Sequence, residues 1–111
     1  MIARIWKGAV RKHDGDDYAA YMQTTGIAGY ANTPGNRGVW MLRRDVGENT
    51  EFLMFTLWDS LDSVKAFAGD DYETAVFYPE DERFLVERDR TSTHYVVDTY
   101  VSPPAGGKAA S

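Results

Sequence analysis

The stretch from Thr50 to Phe67 limits the fold more than any other part of this chain. Glu51-Phe52-Leu53-Met54-Phe55-Thr56-Leu57-Trp58 is an apolar run of strand formers that leads straight into Asp59-Ser60, a helix-start pair. Leu61, Val64, Phe67 and Ala68 then recur at helical spacing until Gly69, and Asp62 suits the positive end of the helix dipole. Both sides of the strand are greasy, because Leu53, Phe55 and Leu57 alternate with Phe52, Met54 and Trp58. One layer of helices hides only one side of a sheet, so the other side needs a cover, and a second copy of the chain is the expected one.

The flanking segments complete an order of elements. Ile2 to Val10 reads as a first strand with two sets of side chains: Ile2, Arg4, Trp6, Gly8 and Val10 on one side, and Ala3, Ile5, Lys7 and Ala9 on the other. Asp14-Gly15-Asp16-Asp17 supplies acidic groups for a helix start, and Tyr18, Tyr21, Met22 and Thr25 give a helix over 15–26. Asn32 to Asn36 is dense in turn residues, Arg37 to Asp45 is strand-like, and Val46-Gly47-Glu48-Asn49 turns the chain back into the Thr50–Trp58 strand as a hairpin. Tyr72 to Tyr78 reads as a short helical piece interrupted by Pro79, Glu80 to Leu85 as another turn, and Thr91 to Val101 as a last strand. The expected class is α+β: a ferredoxin-like β-α-β-β-α-β domain over 1–101, an antiparallel four-stranded sheet with helices on one face, followed by a flexible tail over 102–111.

With 111 residues, a chain of this size buries only about 60–70% of its extended surface, which again favours a homodimer. Seventeen acidic against twelve basic residues give a net charge of -5, which repels phosphate backbones and anionic lipid, so neither nucleic acid nor membrane is an expected partner. The chain has no cysteine, which removes disulfides, thiolate metal sites and cysteine nucleophiles. Charge breaks the opening Met1–Lys7 before any signal-peptide core forms, and a cytoplasmic location is expected. His13 and His94 are far apart without metal-ligand spacing, so no metal is expected.

The element order, the Leu57-Trp58-Asp59-Ser60 junction, the Val64-Lys65-Ala66-Phe67 helix and the Val76-Phe77-Tyr78-Pro79-Glu80-Asp81 segment resemble the antibiotic biosynthesis monooxygenase-like group of the dimeric α+β barrel superfamily over roughly residues 1–101. The resemblance implies two paired sheets and a small cavity in each subunit between sheet and helices. It also implies a cofactor-independent monooxygenase acting on a small apolar, aromatic or polyketide-like molecule. A non-catalytic small-molecule binder and a haem-binding protein using His94 are the alternatives. Haem-degrading members carry a Trp and a haem-ligating His where this chain has Phe67 and Phe77, and Phe cannot hold iron, so no cofactor is expected.

Within that frame, His94 sits on a strand and titrates near neutrality, which suits either an acid/base role or an interface hydrogen bond. Arg37 and Tyr78 are polar-tipped residues near segment ends that could orient an oxygen-bearing substrate, or cap and cover the site. Trp6, Trp40, Trp58, Phe67 and Phe77 are the large rings available to wall a flat ligand, or to fill a core.

Overall fold

Strand β1 (Ile2–Arg11) is the spine of the sheet, paired antiparallel along its whole length with β3 (Asn49–Trp58), from Ile2 opposite Trp58 to Arg11 opposite Asn49. The structure, a computed structural model, describes residues 1–104. On the far side of β3 lies β2 (Asn36–Val46), joined to it as the expected hairpin. The other edge of β1 is shared by two short strands, β4 (Leu85–Arg88) against its second half and β5 (Thr93–Val96) against its first. The spatial order β2-β3-β1-β4 is that of the ferredoxin-like fold.

Helices α1 (Gly15–Thr24), α2 (Gly26–Asn32) and α3 (Leu61–Ala68) cover one face. The core beneath them takes the inward residues of each strand, Trp6 and Val10 from β1 and Phe52, Met54 and Trp58 from β3, against Tyr18, Met22, Tyr30 and Val64 of the helices. Ser60 caps α3 as its sequence requires, its side chain accepting from the Ser63 amide at 3.3 Å.

The opposite face stays open. Trp40 and Leu42 on β2 are 43% and 50% exposed, Trp40 meets Phe55 edge-on at 5.5 Å, and Tyr95 lies on the same face at the opposite edge of the sheet, on β5 beyond β3 and β1. Leu53 and Leu57 lie on this same face, opposite Leu42 and Gly38 of β2.

Three expectations need correction. The helix expected over 15–26 stops at Thr24, because the Thr24 and Thr25 hydroxyls both donate back to the Tyr21 carbonyl and Thr25 leaves helical geometry; a second helix, α2, then begins at Gly26. Tyr72 to Tyr78 is irregular rather than helical, although the turn expected after Pro79 is present as a short helix, α4 (Asp81–Phe84). The last strand expected over Thr91–Val101 is shorter. Residues 90–92 bulge away from β1 to bond Glu73 and Ala75, with Ala75 N–H to the Arg90 carbonyl at 3.0 Å and Ser92 N–H to the Glu73 carbonyl at 2.8 Å. Strand pairing resumes only at Thr93, and Val97 N–H to the Met1 carbonyl at 3.0 Å is its last bond. Of the expected tail over 102–111, residues 105–111 lie outside the described residues. Among the described residues no helix is long and apolar enough to cross a membrane.

Candidate functional site

Arg4 is the charged member of an otherwise apolar inward set on β1. It is 2% exposed, lies across from His94 on β5, and directs its guanidinium under the helices at 5.4 Å from the centre of the Phe67 ring, beside the Tyr30 phenol. Its Nε and Nη2 have no hydrogen-bond partner. Native proteins rarely leave a buried charge in that condition, since each unsatisfied donor costs about 1–3 kcal/mol.

Of the other unpartnered buried atoms, two share a cavity with Arg4, and the third belongs to His94, its cross-strand neighbour, which does not line that cavity. Among the described residues they are Asp81 Oδ1, Ser92 Oγ and His94 Nε2. Arg4, Asp81 and Ser92 line one cavity between sheet and helices, together with Trp6, Tyr18 and Tyr30. The irregular segment before α4 closes it with Val76 and Tyr78. The cavity measures about 10 Å³, room for about one water molecule. The expected pocket for a guest is therefore shut in this structure: side chains of the helices and of the 76–81 segment fill the space that the resemblance implied.

Burial sets the protonation states. His94 is held below the usual histidine value, chiefly by loss of water and next by the nearby Arg4 cation, with Glu73 opposing, so its ring is neutral at pH 7. Burial pushes the phenols of Tyr18, Tyr30 and Tyr78 up, and they remain neutral donors. Asp81 is raised above the ordinary aspartate value by burial, against the lowering effects of the Tyr78 amide and Arg88. Arg4 is lowered by burial yet remains a cation, as arginine does in proteins.

The residues singled out in the sequence fall into three groups. His94, Tyr78, Trp6 and Phe67 lie in or against the cluster: Tyr78 lines the cavity, Trp6 does so while donating its Nε1–H to the Asp89 carbonyl at 2.8 Å, and Tyr72 meets the His94 ring edge-on at 5.1 Å. Trp58 and Phe77 support it. Trp58 is fully buried, donates to Thr56 Oγ1 at 2.8 Å and packs on Phe67 at 5.7 Å, while Phe77 bridges Trp6 at 6.2 Å and the Arg88 guanidinium at 4.5 Å. Trp40 and Arg37 are elsewhere. Trp40 is on the open face, and Arg37 is an exposed residue paired with Asp59 at the start of α3.

Sequence reasoning missed Arg4, Asp81, Tyr30 and Ser92. Arg4 did leave a signal, a single charge in the alternating set that includes Trp6 and Val10. Tyr30 lay in the unforeseen α2, and Gly29 of that helix is what lets the Tyr78 hydroxyl in: a Cβ there would stand 2.6 Å from Tyr78 Oη.

The fold and site thus define a class, a single antiparallel sheet with helices over one face, a buried polar cluster between them and a bare apolar face behind. The chain has a ferredoxin-like α+β fold similar to that of solved structures named as antibiotic biosynthesis monooxygenases. Solved structures similar to it include a Bacillus cereus protein named as a candidate antibiotic biosynthesis monooxygenase, at 13% identity and a TM-score of 0.65, covering 93% of this chain and 96% of that one. A variant of MhuD with two manganese protoporphyrin IX molecules bound per active site is similar at 19% identity and 0.65, covering 93% and 100%. A NIPSNAP domain protein from Burkholderia xenovorans follows at 14% and 0.59, with the same coverage. No protein-family profile and no curated protein sequence matches the chain. At such identities the likeness is one of fold.

Proposed function

We propose that this protein is a homodimeric, cofactor-independent monooxygenase that oxidises a small aromatic or polyketide-like molecule, held with its anionic oxygen against Arg4. The observation that carries this reading is the Arg4 guanidinium, buried to 2% exposure with two nitrogens unpaired and aimed into a polar cavity. Arg4 has no ion-pair partner, Asp81 of the same cavity being turned to the Tyr78 amide, and phenolates, enolates and carboxylates are anions that would complete it within walls of aromatic rings. The Bacillus cereus protein and a Nitrosomonas europaea neighbour, both named as monooxygenases by assignment, support the reaction class.

The chemistry balances without an external reductant. An activated methylene between aromatic rings loses a proton to the neutral His94 Nε2, and the resulting anion is stabilised by Arg4 and by the Tyr78 hydroxyl. That anion gives its electrons to dioxygen, a C–O bond forms, and the peroxide takes the proton back from His94. Loss of the second C–H proton with cleavage of the O–O bond releases water and leaves a ketone, so that one methylene and one dioxygen become one carbonyl and one water. Here Arg4 fills the role that the sequence suggested for Arg37.

The dimer belongs to the same proposal. Trp40, Leu42, Leu53, Phe55 and Tyr95 form an apolar face, and a stable partner buries about 800 Å² on each side of such an interface. Haem has less support than an anionic aromatic: Phe67 and Phe77, packed on Tyr30 and Trp6, have no atom that ligates iron.

Oxygen uptake with anthrone-type and hydroxylated naphthacene compounds tests the reaction. One dioxygen consumed per ketone, lost in His94→Ala, is the expected outcome. Saturable binding of the same compounds with no uptake identifies a binding protein instead.

A further inference from the structure

The interior is shut, yet its walls hold unpartnered polar atoms, so a ligand enters only where a wall can give way. Three sides of the cavity are regular: β1 contributes Arg4 and Trp6, α1 contributes Tyr18 and Met22, and α2 contributes Gly26 and Tyr30. The remaining side is the stretch Val76–Glu80, which has no helix or strand of its own. Few bonds hold it. Tyr78 N–H donates to Asp81 Oδ2 at 2.6 Å, Asp81 N–H returns to the Tyr78 carbonyl at 3.0 Å, and Glu80 N–H donates to Tyr21 Oη of α1 at 3.0 Å.

Asp81 faces two ways. It is 3% exposed; one carboxylate oxygen ties down Tyr78, while Oδ1 lines the cavity without a partner. A buried carboxylate is an expensive way to fix a turn, and its position at the junction of wall and cavity gives it a second use. We propose that Val76–Glu80 is the roof through which a small molecule enters the cavity, and that Asp81, assisted by Tyr21, is the latch that holds it closed. This rests on the cavity's being the ligand site. Opening the roof withdraws Val76 and the Tyr78 phenol, the two roof side chains that fill the space over Arg4, and leaves the three regular walls in place.

Ser92→Cys tests this directly. Ser92 is buried, lines the cavity and has an unpaired hydroxyl, and the chain contains no cysteine, so the new thiol is the only one present. Its reaction with dithiobis(nitrobenzoate) releases coloured thionitrobenzoate at a rate that rises with the population of the open roof. In that background Tyr21→Phe, which removes one bond without enlarging the cavity, speeds labelling about threefold to tenfold, and Asp81→Ala, which removes a charge-assisted bond, speeds it further. Asp81→Asn, which keeps an acceptor oxygen, falls between Asp81→Ala and the parent. Equal rates in all variants, or acceleration that only follows loss of global stability in urea, overturns the latch. Where the cysteine variant does not fold, exchange of the Glu80 amide decides: Asp81→Ala accelerates it while the Met54 amide is unchanged, and unaltered exchange refutes the proposal. A wrong assignment of the anion to Arg4 leaves these rates untouched, since they report opening and not affinity.

Discussion

Replacing Arg4 by Met removes the guanidinium and keeps an unbranched chain of similar reach, so it separates the charge from the volume it fills. In most buried positions such a change destabilises. Here Nε and Nη2 lack partners at 2% exposure, and unsatisfied buried donors cost about 1–3 kcal/mol each by mutational measures. The contact with Phe67 at 5.4 Å returns about 1 kcal/mol, and the thioether that replaces it packs well against a ring. Two donors at that cost, less the contact, predict that Arg4→Met is more stable than the parent by about 1–5 kcal/mol, with the melting midpoint rising by about 4–8 °C for each kcal/mol in a domain near this size. Urea unfolding at one fixed protein concentration is the assay, because dimerisation makes the midpoint depend on concentration. A loss of about 2 kcal/mol or more would refute the reasoning, since it would make Arg4 a satisfied structural residue rather than a charge held ready for a ligand.

Other consequences are as specific. Leu42→Lys places a charge on the bare sheet face, and the parent is expected to sediment as a dimer at micromolar concentration while the variant sediments as a monomer. Ser60→Ala removes the cap of α3 and lowers urea stability by about 0.5–2 kcal/mol. Gly29→Ala gains about 1 kcal/mol of helix propensity but drives the Tyr78 hydroxyl from its seat, so stability changes little while thiol labelling of Ser92→Cys accelerates. His94 titrates below its ordinary 6.5, so by NMR its midpoint lies under that value and rises in Arg4→Met, which removes the second cause of the shift. Because its folded value is depressed, the contribution of neutral His94 to stability is present above pH 6.5 and is lost as pH falls through the lower folded value; His94→Gln abolishes that slope.

The frame of the fold was legible because strand alternation and a capped helix are local signals. Phe52, Met54 and Trp58 face the helices and Leu53, Phe55 and Leu57 face away, as the period of two dictates, and Ser60 caps where a helix-start serine should. What failed was non-local. The split of the last strand depends on residues 90–92 finding Glu73 and Ala75, a pairing that no run of residues 91–101 announces. Gly26 and Gly29 weaken the helical pattern in the sequence, yet a new helix starts there because Thr25 has already left the first. At the site, Trp6, Phe67, Tyr78 and His94 were found as large or titratable side chains, but Arg37 and Trp40 were grouped with them although they lie on different surfaces. Arg4 is the one charge in an inward set, but an arginine on a strand is ordinarily solvated and no local signal marks this one as buried.

A matched pair of ligands tests most directly whether Arg4 is the seat of an anion. Naphthoate and naphthamide share shape and ring, and differ in charge. Titration calorimetry at pH 7 is predicted to show naphthoate binding at least about tenfold more tightly to the parent, with the preference gone in Arg4→Met. Equal affinities for the two compounds in the parent, or a preference for naphthoate that survives in Arg4→Met, would contradict the account.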